Sequence, residues 1–485
     1  MQSSNRTTGG ADFHEELTRD DAAWILSNAF LILTMQSGFG LLEAGSVSYK
    51  NIANIMVKNC VDVTLGGITY WVVGYGLSFG SKSTMFCGYS DFFVHTDDAE
   101  NMGKLYTHYV FHFSFATAAT TIVSGAVAER MKLQGYMIYS IFNTFIYCFP
   151  ACWAWNQVGF LGQLGFFDFA GGCIVHATGG SSALIAAILL GPRLGRFNPD
   201  SKTEKYAMSS PVTALTGTFM LWWAWLAFNC GSTFGIQQYR WKVAAKVGVV
   251  TLNASIAGGL VGLIVSFVQY RGSFDVPVII TSVLGGLVAV TAGCAVYSPA
   301  ESLLVGGVGA FVALGAGPGL ERLKIDDPVG AVPVHLGAAT WGTLAVGLFG
   351  RNQFNLLKGY DGLLHGGGVY LLAIQFSGWL CVCSWSALCT TGIFLVLRKI
   401  HKLRMEPEEE LMGADWVEHN VRSITFTARL ESAISSMKIE DQQVEDMLRK
   451  VVEQLAGQER RRTQTANKIQ PEGIAKQTVM KTTHC

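Results

Sequence analysis

Eleven apolar runs, each long enough to cross a bilayer as a helix, recur along this chain of 485 residues. They lie at about 22–45, 58–80, 107–128, 133–155, 172–191, 209–231, 243–268, 276–296, 301–318, 330–350 and 371–398. Charge is scarce between them. Charged residues make up 14% of the chain, against a typical value of about 25%, and 29 of the 70 fall at or after Arg398. A soluble fold cannot cover its surface with so few charges, whereas a lipid-facing one can. The expected architecture is an all-α integral membrane protein with eleven transmembrane helices over residues 22–398. A polar segment, 1–21, precedes them, and a polar tail, 399–485, follows.

An odd number of crossings puts the termini on opposite sides, and basic residues decide which is which. Lys50, then Arg130 and Lys132, then Arg193, Arg196, Lys202 and Lys205, then Arg271, then Arg322 and Lys324 mark every second loop. The tail opens with Arg398, Lys399, Lys402 and Arg404. This places the C-terminus in the cytoplasm and the N-terminus outside, the latter with an acidic loop at 81–106. Arg240, Lys242 and Lys246 run against the pattern. Asn5 of the sequon Asn5-Arg6-Thr7 falls on the outer side and is a candidate for glycosylation. The polar, acidic residues 1–21 do not read as a cleavable signal. A net charge of zero gives no case for a nucleic-acid partner. The eleven cysteines form no C-x-x-C pair and read mostly as small buried hydrophobes.

One motif occurs twice. Asp168-Phe169-Ala170-Gly171-Gly172-Cys173-Ile174-Val175-His176 and Asp327-Pro328-Val329-Gly330-Ala331-Val332-Pro333-Val334-His335 share the pattern D-x-x-G-x-x-x-V-H. Each opens a run, the fifth and the tenth, so the helices that carry them point in opposite directions. That is the signature of two inverted five-helix repeats plus a final helix, with the pathway at their interface. Each aspartate sits at the positive end of its helix. A buried, hydrogen-bonded core residue is the ordinary account of one intramembrane histidine. Two at matching positions of opposed repeats favour function. Small residues around them (Gly171, Gly172, Gly179, Gly180, Gly330 and Gly337) let the helices approach closely. The imidazoles can then share a proton and offer both a donor and an acceptor to a small polar solute. A zinc site would need further ligands, and no H-x-x-x-H or cysteine pair supplies them. No cofactor is called for.

Aromatic residues gather towards the outer ends of three runs. Trp225, Phe228 and Ser232 fall at i, i+3 and i+7 on the sixth run; Phe111, His112 and Phe115 lie on the third; Trp153-Ala154-Trp155 ends the fourth. Such rings with a hydroxyl can hold a small cation by cation–π attraction. An interfacial aromatic belt accounts for the same residues by composition.

From about Asp21 to His419 the chain resembles the ammonium transporter (Amt) family of the Amt/Rh superfamily. The resemblance rests on Gly38-Phe39-Gly40-Leu41-Leu42-Glu43-Ala44-Gly45-Ser46, Ser124-Gly125-Ala126-Val127-Ala128-Glu129-Arg130, the first D-x-x-G-x-x-x-V-H motif, Ala227-Phe228-Asn229-Cys230-Gly231-Ser232 and Gly413-Ala414-Asp415. It implies eleven helices per protomer, a homotrimer with one pore in each protomer, and a multi-pass protein of the plasma membrane. By this resemblance Trp155, Phe115 and Ser232 form an outer ammonium-recruitment site supported by Asp168, and Phe115 and Phe228 form a stacked gate. Trp225, His176 and His335 then line the pore. Trp155 favours the Amt over the Rh branch. His112 stands where the family has glutamine, which leaves packing or a pH-sensitive mouth open. Glu43 reads as a paired structural carboxylate or part of a proton route.

The implied function is ammonium or ammonia transport. A bare ammonium ion loses several kcal/mol or more on desolvation, and aromatic faces offset about 0.5–2 kcal/mol per contact. The expected route is that ammonium sheds its proton near Phe115 and Phe228 and passes as ammonia along His176 and His335. A membrane sensor signalling through the tail is the competing class. An enzyme is not expected, since no nucleophile or multi-ligand metal cluster is evident. In the tail, Glu406–Glu410 and Gly413–Asp415 resemble the family's coupling segment. Leu430, Ile434, Met437, Val444, Met447, Leu448, Val451 and Leu455 recur at helical spacing, as in a trimeric coiled coil or a helix packed on other tail segments.

Overall fold

A computed structural model describes residues 17–198, 206–421 and Lys450. Asn5 and the eight apolar positions from Leu430 to Leu455 named above lie outside the described residues. Within them the secondary structure is helical, with two isolated β-bridges.

A helix occupies each of the apolar runs. They are α1 (Arg19–Ser46), α2 (Ile52–Val61, continued to Phe79), α3 (Ala99–Ala126), α4 (Leu133–Trp155), α5 (Gly172–Leu190) and α6 (Pro211–Gly231). There follow α7 (Arg240–Gln269), α8 (Val276–Thr291), α9 (Pro299–Arg322), α10 (Pro333–Ala338, continued to Phe349) and α11 (Tyr370–Lys399). Seven helices among the described residues are long and apolar enough to cross a membrane. Of the other four, the second carries Lys58 and Asp62 and is broken by π-helical turns at Asp62–Gly66 and Tyr70–Gly74, α3 is long but interrupted by polar residues such as Glu100, Lys104, His108 and His112, and α8 and α10 are short.

Local sequence sets the helix starts. Thr18, Ser210, Asp275 and Ser298 each accept a backbone N–H of the following turn, and Pro211 and Pro299 stand where a missing N–H costs nothing. Packing then brings like against like. α1 lies along α6, and the first turns of α5 meet those of α10, while α7, α8 and α9 pack as a group. The α1–α6 crossing is close enough to require glycine: a Cβ on Gly217 would stand 2.2 Å from the Leu42 nitrogen. At the α5–α10 crossing, a Cβ on Gly180 would stand 2.4 Å from the Leu336 nitrogen.

One buried carboxylate bridges α1, α2 and α3. Buried Glu43 accepts from Asn59 (2.6 Å) and from the Ser124 hydroxyl (2.5 Å), so its two oxygens tie three helices together. The basic loops gather at one end of the bundle. There Arg193 binds Glu129 at 2.7 Å and Asp326 at 2.8 Å, and Arg130 donates to the Asp326 carbonyl. Burial alone would push the Asp326 carboxyl upward, but the hydrogen bonds and charge of Arg193 overcome it and hold it below the usual range. Two short helices, α12 (Pro407–Met412) and α13 (Ala414–His419), close over this end. Asp415 accepts from the Ala53 and Asn54 nitrogens (3.0 and 2.7 Å), and Lys50 donates to the Glu410 and Leu411 carbonyls.

Substituting Gly217→Val should force α1 and α6 apart, at a cost of about 1–3 kcal/mol. Thermal unfolding of the detergent-solubilised protein should show a lower midpoint. Gly315→Ala, where nothing lies within 4 Å of the new atom, should show no such loss.

Candidate functional site

The two repeated motifs fold alike. Asp168 accepts four backbone N–H groups, from Gly171 and Gly172 on one oxygen and from Cys173 and Ile174 on the other, each at 2.8 Å. Asp327 accepts from Gly330 at 3.2 Å and Val332 at 2.7 Å. Gly171 and Gly330 both take positive φ (93° and 76°), a conformation that a side chain disfavours. Each cap is followed by a single π-helical turn, Gly172–Ala177 or Pro333–Ala338, that carries the histidine. Such turns re-aim a side chain that a regular helix would direct elsewhere.

As a result the imidazoles meet. His176 Nδ1 and His335 Nδ1 are 3.1 Å apart, with ring centroids 5.1 Å apart and planes 20° from parallel. Both side chains are buried. A contact between two δ nitrogens needs one proton between them. The donor ring then has a bare Nε2 and the acceptor ring an Nε2–H, so the pair presents one acceptor and one donor at its far ends. His176 Nε2 has no hydrogen-bond partner.

A file of rings leads away from the pair. Trp225 stacks on His176 (4.8 Å, 15°) and is held by its indole N–H to Thr291 Oγ1. Phe228 lies 5.7 Å from His176 and stacks on Phe115 at 4.0 Å and 11°. Trp155 meets Phe115 edge-on at 6.1 Å. Phe115 and Phe228 are sealed, while Trp155 is half-buried, so the file closes at the phenyl pair and opens at the indole. Of the two tryptophans ending α4, Trp153 turns away, against Phe160 and Trp385.

Asp168 stands behind this mouth. Its carboxylate is occupied by the four N–H groups, and its backbone carbonyl accepts the Trp155 indole N–H at 2.7 Å. It thus fixes the indole and the π-helical turn together. Ser232 Oγ donates to the Phe228 carbonyl at 2.8 Å, which leaves the oxygen's lone pairs as acceptors. The rings extend beyond the residues singled out in the sequence. Phe79 stacks on His112, Phe234 approaches His108, Phe111 and His112, and Phe39 lies 5.9 Å from His335. Phe234 sits in the loop after α6 at positive φ, where no periodicity could have flagged it. A file of apolar and imidazole rings can pass a small neutral molecule but offers a bare ion no full solvation.

Residues 23–423 match the Ammonium Transporter Family. The chain belongs to that family. Among its relatives is the putative ammonium transporter 3 of Caenorhabditis elegans, 42% identical over 440 residues that cover 87% of this chain and 63% of that protein. The putative ammonium transporter 2 of the same organism is 38% identical, over 86% of this chain and 85% of its own length. A solved structure titled "Sensor Amt Protein" superposes with a TM-score of 0.75 at 32% identity, covering 82% of this chain and 98% of that one. The family match takes in α12 and α13, so the two helices that close the basic end belong to the transporter-family region rather than to an added tail. With its apolar helices, this makes the chain a multi-pass α-helical membrane protein.

Removing the Asp168 carboxylate should cost more than removing its counterpart, because four N–H groups rather than two lose their acceptor. Asp168→Ala is expected to destabilise the protein by about 2 kcal/mol or more. Asp327→Ala should lower the thermal midpoint in detergent by a smaller amount.

Proposed function

We propose that this ammonium transporter family member moves ammonium nitrogen across its membrane by capturing the cation and conducting its neutral base. The observation that carries the reading is the sealed 3.1 Å contact between His176 and His335, directly beneath the stacked Phe115 and Phe228. In this proposal Trp155 and Phe115 hold the ion by cation–π attraction while Ser232 Oγ accepts one N–H. The phenyl pair passes only a species without net charge, because an ion stripped of water there has no compensating partner; one N–H bond of ammonium breaks above it, and the proton goes to solvent water at the half-buried mouth. Ammonia then moves along Trp225 and the histidines, where the bare Nε2 accepts and the protonated Nε2 donates. Asp168 contributes by positioning Trp155 and by fixing the turn beneath His176.

The same reading assigns eleven crossings, two inverted five-helix repeats and a final helix, with the N-terminus outside. The pairing of α1 with α6 and of α5 with α10 supports it, as does the collection of Lys50, Arg130, Arg193 and Arg404 at one end. A homotrimer in the plasma membrane follows from the family resemblance. A second reading is an ammonium sensor. It is favoured by the likeness to the structure titled as a sensor and by the clasp that Asp415 and Lys50 make with the closing helices.

Flux separates the two. Purified protein in liposomes should carry ammonium or methylammonium saturably if it transports, and should bind without flux if it only senses. Replacing both His176 and His335 by alanine should alter the rate and selectivity of that flux. Wild-type uptake and selectivity in the double variant would remove the histidines from the mechanism.

A further inference from the structure

His112 occupies a position that packing alone does not explain. On α3 it falls in a stripe with His108 and Phe115, at i, i+4 and i+7, so it lies one turn above the phenyl gate. Phe79 stacks on it with centroids 3.7 Å apart and planes at 27°. Phe234 lies 5.2 Å away at 31°, Trp155 6.4 Å away, and Phe111 meets it edge-on at 5.8 Å. Only 4% of the residue is exposed, yet its Nδ1 has no hydrogen-bond partner. A phenyl ring would fill the same stack without burying a polar atom, and a sealed polar nitrogen is destabilising until something pairs with it. Two neighbours carry an N–H, and neither supplies it to Nδ1: Trp155 gives its indole N–H to the Asp168 carbonyl, and His108, edge-on at 6.4 Å, makes no hydrogen bond to it.

We infer that His112 is a substrate-binding residue of the mouth, whose neutral Nδ1 accepts an N–H of the captured cation. The inference rests on the transport reading above and adds a second acceptor to the one at Ser232. Aromatic faces attract any small cation, so they do not by themselves distinguish ammonium from an alkali ion of similar size. An imidazole nitrogen inside an aromatic box does, because it takes a directional N–H from ammonium and is a poor ligand for a hard alkali ion. Two acceptors then orient the ion, the Ser232 oxygen and the His112 nitrogen, and the nitrogen carries the discrimination against alkali ions. The binding of charge is carried by Trp155, Phe115 and the rings of Phe79 and Phe234. The tautomer this needs carries its proton on Nε2 and leaves Nδ1 bare.

His112→Phe keeps the stack on Phe79 and deletes the acceptor, and His112→Gln restores an acceptor without the ring. Saturable ammonium uptake into liposomes, with equal amounts of folded protein reconstituted, reads the difference. Loss of one hydrogen bond to a charged ligand should raise KM for His112→Phe by at least about tenfold. Maximal rate should be unchanged, and external K+ should become a stronger competitor. His112→Gln should return KM to within about threefold of wild type. An unchanged KM in His112→Phe, a fall in maximal rate alone, or failure of the glutamine variant to rescue would overturn the inference and make His112 a packing residue. If wild-type protein shows no saturable uptake, the transport reading itself fails, and this inference falls with it.

Discussion

A hydrogen bond between two imidazole δ nitrogens forms only when one ring carries the proton and the other does not. At 3.1 Å, buried among aromatic rings, His176 and His335 are therefore bound to unequal tautomers. Most of the surrounding structure serves that contact. Two helices must arrive from opposite directions, their first turns must open from regular helical geometry, and their backbones must approach within side-chain distance. The aspartate caps, the positive-φ glycines, the π-helical turns and Gly180 each meet one of these requirements.

The electrostatic logic of the site follows from the same burial. In the proposed mechanism a cation is held where Trp155 is half-buried and rings present their faces, and is excluded below the sealed Phe115 and Phe228. The asymmetry between the two caps matters here. Asp168 spends both carboxylate oxygens on backbone N–H groups, so it reaches the mouth through its carbonyl and the Trp155 indole rather than by direct charge contact. The start of α5 thus positions both ends of the proposed route, its cap setting the indole on one side and the imidazole on the other.

Much of this was legible in the sequence, for physical reasons that differ by element. The helices were readable because lipid imposes length and apolarity, and the D-x-x-G-x-x-x-V-H repeat was readable because two separate folds of the same chain need the same cap, glycine and histidine. The interruption of α2 was not readable, since a π-helical turn leaves no compositional mark and Lys58 and Asp62 merely look like charges in a span. Phe234 escaped because it lies in a loop and joins the mouth through tertiary packing alone. The choice between Trp153 and Trp155 likewise needed coordinates, because positions two apart on a helix face nearly opposite sides and only tertiary packing decides which side meets Phe115. Glu43, left open between a structural tie and a proton route, proves to have both oxygens bonded across α1, α2 and α3.

The central claim is that two neutral rings share one proton in a dry channel, and nitrogen NMR of the protein in lipid bilayers, with histidine labelled at both ring nitrogens, addresses it most directly. At neutral pH the account requires a coupled pair in which one Nδ1 carries hydrogen and the other is bare, assigned by its disappearance when either His176 or His335 is replaced. Two identical tautomers, or a doubly protonated imidazolium at either position, would contradict it.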